Sequence, residues 1–309
     1  MTSSSTLSTE FYFHLAVIVI GVVGTAANAL ILYALVASKQ HKKHALIVNQ
    51  NALDLFSCIF LVIVHSVKLC DIRLTGWHGY LLCVLILSDN VLWWGITGSI
   101  INLAIITIER YLKVVRKNNP RSWMIHSAMA LAWIGSIAYC VVIVFSTSTV
   151  VNGVCHALVI KNESRRLLYF CWNFVAFYVI ILLIFVFCYG RILFLVRRQA
   201  NVMAGHAAEA AASTYHTQMN HIQTNLIKTM ILVCGFYAVM WLPNHVSFLI
   251  LISSANPSRS LLSGYYVSVF FAFLYVCANP FIYATKFDPV KQVLLRLIPC
   301  KKTNVVNTG

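Results

Sequence analysis

Residues 11–36 read FYFHLAVIVIGVVGTAANALILYALV and contain no charged side chain. A helix needs about 20 mostly apolar residues to cross the hydrocarbon core of a bilayer. The whole chain is 60% hydrophobic and 10% charged, with a mean hydropathy of +0.80, which lies outside the range of soluble proteins. Six more apolar stretches follow, at residues 45–67, 80–112, 124–147, 169–196, 222–252 and 264–285. We therefore predict an all-α integral membrane protein, a bundle of seven transmembrane helices.

The basic residues are distributed unevenly between the loops. One set of alternate loops and the C-terminal segment together hold 17 Lys and Arg residues, and the opposite set holds 6. Cytoplasmic loops carry the excess of Lys and Arg, so we expect an extracellular N-terminus and a cytoplasmic C-terminus. This clustering accounts for most of the net charge of +15 and favours contact with anionic lipid over binding of nucleic acid.

The chain shows no internal repeat. The first and last apolar stretches divide it into three regions. Residues 1–10 are expected to be a short extracellular N-terminus, and residues 11–285 the seven-helix bundle. Residues 286–309 are expected to be an amphipathic helix and a cytoplasmic tail. The first apolar stretch is longer than the core of a cleaved signal peptide, so we interpret it as the first span.

The segment after the seventh span has the pattern of a short helix. Asp288 and Pro289 are typical of a helix start, and apolar residues recur after them at helical spacing. This pattern predicts a short amphipathic eighth helix on the inner leaflet. Cys300 follows beside Lys301 and Lys302, the setting of an S-palmitoylated cysteine, and a free thiol is the alternative.

Asp54 is the most unusual residue of the second span. It lies roughly 13 Å along the helix, and a charge there costs at least about 2.5 kcal/mol on insertion scales. It must therefore face the bundle interior, where Asn28, Ser99 and Asn279 are candidate partners. Two interpretations remain open: a static hydrogen-bonded network, or a switchable polar centre that holds a cation.

Three further groups of residues could take part in a conformational switch. Glu109, Arg110 and Tyr111 end the third span, either as a resting ion pair or as a simple snorkelling Arg. Proline removes a backbone hydrogen bond and kinks a helix, so the sixth and seventh spans should bend, as hinges or as static bends. These bends are expected at Trp241 with Pro243, and at Asn279 with Pro280 and Tyr283.

Of the ten cysteines, Cys83 and Cys155 are placed at the extracellular ends, where oxidising conditions favour a disulfide between them. Cys70 and Cys171 lie near the same surface, which leaves a second bridge open. Asn162, Glu163 and Ser164 form a sequon for N-glycosylation on this side. No spacing of Cys or His predicts a metal site.

Taken in order, these motifs resemble the rhodopsin-like (class A) G-protein-coupled receptors over essentially the whole chain, with no subfamily assigned. One motif falls in each span: Gly24 to Asn28, Asn49 to Asp54, GluArgTyr at 109–111, Trp133, Tyr189, Trp241 with Pro243, and AsnProPheIleTyr at 279–283. Trp77 also precedes Cys83 as in the first outer loop of the family. The whole ordered set is far more specific than any one motif.

The resemblance implies a plasma-membrane receptor that is not an enzyme of covalent chemistry. An extracellular agonist would make it catalyse nucleotide exchange on a heterotrimeric G protein, with arrestin as a further partner. The sixth helix would swing near Pro243, Arg110 would be freed, and Tyr189 and Tyr283 would turn inward. The family's sodium pocket maps onto Asn28, Asp54, Ser99, Trp241 and Asn279, so an allosteric sodium ion is the one cofactor expected.

The chain departs from the family at several positions. The fifth span has Ile181 where a proline is usual, and Tyr237 stands where many relatives have Phe. Tyr275 and Val276 replace smaller or polar residues near Asn279. Two extra residues also lie between Cys83 and Arg110.

The resemblance places a ligand pocket at the extracellular ends, of amphipathic character. Its expected members are Asp89, Asn90, Trp93, Asn173, Phe177, Asn244, His245, Phe248, Tyr265 and Val269. Asp89 could pair with a cationic ligand, or it could be a capped or solvated acid. Phe273 occupies the place of the retinal-binding lysine, which argues against an opsin. The stretch TrpLeuProAsnHis at 241–245 favours a small-peptide ligand over a melatonin-like or lipid ligand.

Two other classes of function remain as alternatives. A membrane transporter would also bury polar residues, although the repeat symmetry of many transporters is missing here. A non-signalling scavenger of the same fold would be expected to lose its GluArgTyr or AsnProPheIleTyr motif, and this chain keeps both.

Overall fold

The computed structural model describes residues 3–70, 72–157, 159–205, 214–254, 258–286 and 288–297. The helices are Ser3–Ala37, Ala45–Lys68, Gly76–Leu82, Asn90–Val114, Ser122–Thr147, Glu163–Phe174, Ile180–Gly205, Thr214–Ser253, Arg259–Lys286 and Asp288–Leu297, with π-helical segments at Cys83–Leu87 and Val175–Val179. Cys300, the expected palmitoylation site, lies outside the described residues.

Seven helical stretches of the described chain are long and apolar enough to span a membrane, and they are numbered here as the first to seventh span. They are Thr9–Ala37, Ala45–Lys68, Gly76–Val114, Ser122–Val142, Glu163–Arg198, Ile227–Leu251 and Arg259–Thr285. Their outward faces carry large exposed apolar side chains such as Val142, Val186 and Val239. Such faces suit lipid, so the predicted seven-helix membrane bundle is confirmed.

The third span is interrupted, which the sequence pattern did not predict. The π-helical segment Cys83–Leu87 is followed by Asp89 in the left-handed conformation, with φ of 61°, before the α-helix resumes at Asn90. A π-helical turn is closed by hydrogen bonds from residue i to i+5, so it holds more residues than an α-helical turn. The interruption lies within the segment from Cys83 to Arg110, where the sequence has two extra residues.

The fifth span has a similar irregularity. It begins at Glu163, earlier than predicted, and passes through the π-helical segment Val175–Val179. Asn162 caps this helix, since its side-chain oxygen accepts a 3.0 Å hydrogen bond from the backbone N–H of Arg165. Ile181, which replaces the usual proline, is buried just beyond the π-helical segment.

One end of the bundle is closed by a β-hairpin. Strand β1 (Thr149–Val151) pairs antiparallel with strand β2 (Val154–His156), and Cys155 in β2 is disulfide-bonded to Cys83. The turn of the hairpin is held by a 3.0 Å hydrogen bond from the N–H of Leu74 to the carbonyl of Gly153. This end is called the disulfide end below, and the opposite end, where the third span closes, the Arg110 end.

The helix Asp288–Leu297 follows the seventh span at the Arg110 end. Its Val290 is fully buried against the bundle core, whereas Lys291 and Arg296 are exposed. The helix is therefore amphipathic as the sequence indicated. Its placement on the inner leaflet stays a prediction.

Candidate functional site

A fully buried carboxylate lies at the centre of the bundle. Asp54 Oδ1 accepts a 2.6 Å hydrogen bond from the hydroxyl of Ser99, and Oδ2 accepts a 3.0 Å hydrogen bond from the amide of Asn279. The amide nitrogen of Gln50 lies 3.4 Å from each of the two oxygens. One side chain thus ties together the second, third and seventh spans.

The hydrogen bonds continue from this carboxylate to the fourth span. Asn102 donates to Gln50 Oε1 over 2.9 Å, and Asn49 donates to Asn102 Oδ1 over 2.9 Å. The indole N–H of Trp133 donates to Asn49 Oδ1 over 2.8 Å. We call the set of Asp54, Ser99, Asn279, Gln50, Asn102, Asn49 and Trp133 the polar network.

Sequence reasoning missed two members of the polar network. Gln50 lies four residues before Asp54 and Asn102 three residues after Ser99, so each shares a helical face with a residue that was named. That spacing was the available signal. A polar side chain one turn from a buried charge in an apolar helix has few other partners.

Two residues expected around the carboxylate do not bond to it. The amide of Asn28 donates to the carbonyl of Gly24 over 3.0 Å and contacts the sulfur of Cys58 at 3.7 Å. Among the described residues, the indole nitrogen of Trp241 has no hydrogen-bond partner. Neither Asn28 nor Trp241 therefore makes a hydrogen bond to the polar network among the described residues.

At the Arg110 end, Glu109 is held by two cations of its own helix. Its carboxylate lies 3.1 Å from Nε of Arg110 and also forms an ion pair with Lys113. Tyr111 stacks beside Phe187 of the fifth span, with ring centroids 5.5 Å apart.

The two tyrosines expected to act in the switch lie inside the bundle near this end. The hydroxyl of Tyr189 is 3.4 Å from that of Thr107 in the third span. Tyr283 is fully buried, and its hydroxyl has no hydrogen-bond partner among the described residues. Both side chains are therefore buried at the Arg110 end, and their part in a switch stays a prediction.

Trp241 lies at the level of Pro243, the proline inside the sixth-span helix. Its ring is only 2% exposed and its centroid is 6.1 Å from that of Trp93 in the third span. Below it, the ring of Tyr237 lies 6.0 Å away. Aromatic side chains therefore connect the disulfide-end half of the bundle to its centre.

Two hydrogen bonds join the fifth and sixth spans beneath Trp241. The hydroxyl of Tyr237 donates to the carbonyl of Phe177, and the hydroxyl of Tyr178 donates to the carbonyl of Ala238 over 2.9 Å. Phe177 lies in the π-helical segment, where the regular bonding of an α-helix is broken. The Tyr that replaces the family's Phe thus has a defined partner.

Several predicted pocket residues belong to two groups of aromatic side chains. The Phe248 ring lies 4.0 Å from that of Phe170 and 5.7 Å from that of Tyr265, and the His245 ring lies 6.0 Å from that of Trp241. Trp93, His245, Phe248 and Tyr265 are all partly exposed. We call this set the aromatic pocket.

The remaining predicted pocket residues divide into two groups. Asn90, Asn244 and Val269 are buried in the helix packing, at 8% exposure or less. Asn173 accepts a hydrogen bond from Tyr139 of the fourth span, and the Phe177 ring packs on the same Tyr139 at 4.9 Å. These contacts with the fourth span hold the last two side chains away from the aromatic pocket.

Asp89 forms an ion pair within the protein, which neither of the two interpretations of the sequence had foreseen. Its two oxygens lie 2.6 and 2.7 Å from the ammonium of Lys68 in the second span, and both side chains are about a quarter exposed. Next to this pair, the Nδ1 atoms of His14 and His65 lie 2.7 Å apart. Sequence reasoning named neither histidine, since only the fold brings the first and second spans together.

A separate cavity of about 560 Å³ opens under the β-hairpin. Its lining includes Lys68, Arg73, Leu87 and the backbone of Asn152 and Gly153. Cys70, which lines it too, and Cys171 are both free and exposed, so the second disulfide left open by the sequence is not formed.

The sequence of this seven-helix chain matches a known family of membrane receptors over most of its length. The family model described as "7 transmembrane receptor (rhodopsin family)" matches residues 27–283. The chain belongs to the rhodopsin family of seven-transmembrane receptors. Membership confirms the resemblance drawn from the motifs, and it makes the chain a multi-pass membrane receptor.

Individual relatives of this receptor are distant. Lysophosphatidic acid receptor 3 of Rattus norvegicus is 23% identical over 287 residues, covering 89% of this chain and 75% of the relative. Adenosine receptor A2a of Canis lupus familiaris is 27% identical over 129 residues, covering 41% of this chain and 30% of the relative. Squid rhodopsin superposes with a TM-score of 0.74 at 17% identity, covering 96% of this chain and 89% of that one, which shows a common fold.

Proposed function

We propose that this receptor is activated by an extracellular agonist and catalyses nucleotide exchange on heterotrimeric G proteins, with arrestin as a second partner. The observation that carries the proposal is the aromatic chain from Trp93 through Trp241 to Tyr237, with ring centroids 6.1 and 6.0 Å apart. A ligand in the aromatic pocket would press on Trp241 at the level of Pro243. It would thereby bias the position of the sixth span relative to the fifth.

The orientation proposed for the receptor follows its basic residues. The disulfide end carries the few Lys and Arg residues, and the Arg110 end carries the many. The disulfide end would face the outside of the plasma membrane, together with the N-terminus and the sequon at Asn162. The Arg110 end would then meet the G protein.

The ligand proposed is a small amphipathic molecule, with a small peptide as one form of it. The aromatic pocket offers apolar ring faces, and the Lys68–Asp89 ion pair, which has no net charge, lies within electrostatic range of its Tyr265. A ligand with one unbalanced charge would have to break that pair. A neutral or zwitterionic head group would not.

A lysophospholipid is the second candidate, because several of the relatives are lysophosphatidic acid receptors. Lysophosphatidic acid itself is a monoanion or dianion at its head group, so we expect it to bind Lys68 only by displacing Asp89. An Asp89→Asn variant distinguishes the two candidates. It should strengthen the response to an anionic lipid and weaken the response to a zwitterionic peptide.

Signalling can be tested with energy-transfer biosensors for each G-protein class and for arrestin, in cells expressing equal surface amounts of each variant. Libraries of small peptides, lysophospholipids and nucleosides serve as ligands. We expect Arg110→Ala to abolish G-protein activation while leaving ligand binding intact, and Pro243→Ala to reduce activation. Arg191→Ala, on an exposed part of the fifth span, is the matched control for loss of an arginine.

The alternatives give different results in the same cells. A scavenger would bind a ligand and activate neither a G protein nor arrestin. A transporter would move an ion or a solute across reconstituted vesicles. Either result, obtained with properly folded protein, would contradict the proposed function.

A further inference from the structure

Three side chains present donor groups to the Asp54 carboxylate, and the nitrogen of Gln50 lies within reach of both of its oxygens. A carboxylate offers about two lone-pair positions on each oxygen. Oδ1 accepts from Ser99 at 2.6 Å and from Gln50 at 3.4 Å, and Oδ2 accepts from Asn279 at 3.0 Å and from Gln50 at 3.4 Å. The side chains around this carboxylate therefore present hydrogen atoms to it.

The amide of Gln50 is fixed in the orientation that points its NH₂ group at Asp54. Asn102 donates to Gln50 Oε1, and the same Asn102 nitrogen donates to the carbonyl of Leu46 over 3.0 Å, which cannot donate in return. Gln50 is fully buried and its nitrogen also donates to Ser99. If the amide were rotated by half a turn, Gln50 Oε1 would face the oxygens of Asp54, and the NH₂ group of Gln50 would face the NH₂ group of Asn102. Neither contact could be a hydrogen bond.

The same orientation is imposed from the far end of the polar network. The indole N–H of Trp133 can only donate, so Asn49 must accept through Oδ1 and donate through Nδ2. Asn49 then fixes Asn102, and Asn102 fixes Gln50. The indole N–H of Trp133 therefore fixes the orientation of the amide groups of Asn49, Asn102 and Gln50 in turn.

A sodium ion does not fit this arrangement. Hard cations take oxygen ligands, and the amide of Gln50 offers Asp54 only N–H groups. In the seventh span, Val276 has no oxygen on its side chain, whereas Asn279 Oδ1 is a buried oxygen without a hydrogen-bond partner among the described residues, so the exclusion of sodium rests on the amide of Gln50. A cation bound to both oxygens would have to displace the amide nitrogen of Gln50, which would then keep only its hydrogen bond to Ser99 inside the apolar bundle.

We propose that the amide of Gln50 takes the place of a cation at Asp54, so that this receptor, unlike the expectation from its family, does not bind sodium at its polar centre. Gln50 is then the residue that determines ion specificity. The proposal concerns binding in the folded receptor and does not require that the proposed signalling function be correct.

Sodium binding can be measured by thermal unfolding of the purified full-length receptor in detergent. The midpoint of unfolding is compared in NaCl and in choline chloride at equal concentration. A site that sodium fills stabilises the folded state by mass action, which raises the midpoint by roughly 3 °C or more at saturating ion. We expect no difference between the two salts for the unaltered receptor.

The Gln50→Leu variant removes the amide and leaves the carboxylate short of donors. We expect this variant to unfold at a higher temperature in NaCl than in choline chloride, and we expect the difference to vanish in the double variant Gln50→Leu with Asp54→Asn. A sodium effect on the unaltered receptor that Asp54→Asn abolishes would overturn the proposal, whether or not Gln50→Leu folds. A folded Gln50→Leu receptor that ignores sodium would also overturn it, since another residue would then exclude the ion.

Discussion

Glu109 lies 3.1 Å from Nε of Arg110, its neighbour in the chain. The same carboxylate pairs with Lys113, one turn further along the helix, so two cations share one acid. Glu109 is almost buried, whereas Lys113 is about a quarter exposed. Arg110 and Lys113 therefore compete for the Glu109 carboxylate, so a closer ion pair with Lys113 weakens the attraction between Glu109 and Arg110.

The first prediction is that substitutions on the two sides of this acid change basal signalling in opposite directions. Glu109→Gln removes the charge that holds Arg110, and should raise basal G-protein activation about two- to fivefold, since a partly exposed pair contributes up to about 1 kcal/mol. Lys113→Gln frees the acid for Arg110 and should lower basal activation. Biosensors at matched surface expression measure both. If both substitutions raised basal activation, or if both lowered it, the competition of Arg110 and Lys113 for Glu109 would be contradicted.

The second prediction concerns the indole of Trp133. Trp133→Phe leaves the buried oxygen of Asn49 without its donor, which costs about 1–3 kcal/mol. We expect a lower midpoint of thermal unfolding for this variant. Trp123→Phe makes the same chemical change at a residue of the same helix that is 63% exposed, and it should leave the midpoint unchanged. A fall of equal size in both variants would mean that loss of ring area, and not the hydrogen bond, is responsible.

The third prediction concerns the bond between Cys83 and Cys155, which lie 72 residues apart in the chain. Replacing both with serine removes a constraint that typically contributes about 2–5 kcal/mol to the stability of small disulfide-bonded domains. We expect surface expression of the receptor to fall strongly. The double replacement of Cys70 and Cys171, which are free and exposed, is the control and should leave surface expression unchanged. Loss of expression in the control would indicate a second bridge.

The fourth prediction concerns the close approach of three spans at Gly24. A methyl group there would lie 2.6 Å from the sulfur of Cys58 in the second span and 2.8 Å from that of Cys277 in the seventh. Gly24→Ala should therefore destabilise the receptor by about 1–3 kcal/mol, as overpacking does. Gly190→Ala has no atom within 4 Å of the added methyl group and should unfold at the original temperature or slightly above it. Thermal unfolding in detergent compares the two.

The fifth prediction is a loss of stability in acid that depends on His44, in the turn before the second span. Burial, together with Arg110, Lys43 and Lys113 nearby, lowers the pKa of His44 from 6.5 to about 3. The unfolded chain then binds a proton near pH 6.5 that the folded receptor does not bind until about pH 3. The stability due to neutral His44 is therefore complete above pH 6.5 and decreases as the pH falls below it.

This pH dependence can be measured as the midpoint of thermal unfolding between pH 7.5 and pH 5. The midpoint of the unaltered receptor should fall with the pH, and that of His44→Gln should fall less. His78→Gln, which alters an exposed histidine, should follow the unaltered receptor. If His44→Gln showed the same fall as the unaltered receptor, the burial of a neutral imidazole at this position would not be the cause.

The seven spans could be predicted because the length of each apolar stretch determines whether it can cross a bilayer, and the Lys and Arg residues mark the loops between the stretches. The two π-helical segments could not, since a single extra residue in a helix changes neither composition nor hydrophobic pattern. The interruption before Asn90 became visible only as an excess of residues between Cys83 and Arg110. Its position depends on the left-handed conformation at Asp89, which no local pattern indicated.

The sequence predicted some residues of the polar network and missed others. Asp54, Ser99 and Asn279 stand out because polar atoms are costly in an apolar helix, and they do meet. The direction in which an amide points depends on its partners in other spans. Asn28 therefore bonds to its own helix, and Gln50 occupies the place that the family resemblance assigned to an ion.

The reciprocal bonds of Tyr178 and Tyr237 have a consequence for the speed of the receptor. The bonds run in opposite directions between the same two spans, so the sixth span leaves the fifth only after both have broken. We propose that the two tyrosines raise the barrier between the resting and active arrangements. We expect them to govern how quickly the signal starts and stops, and to have less influence on how many receptors are active once the signal is steady.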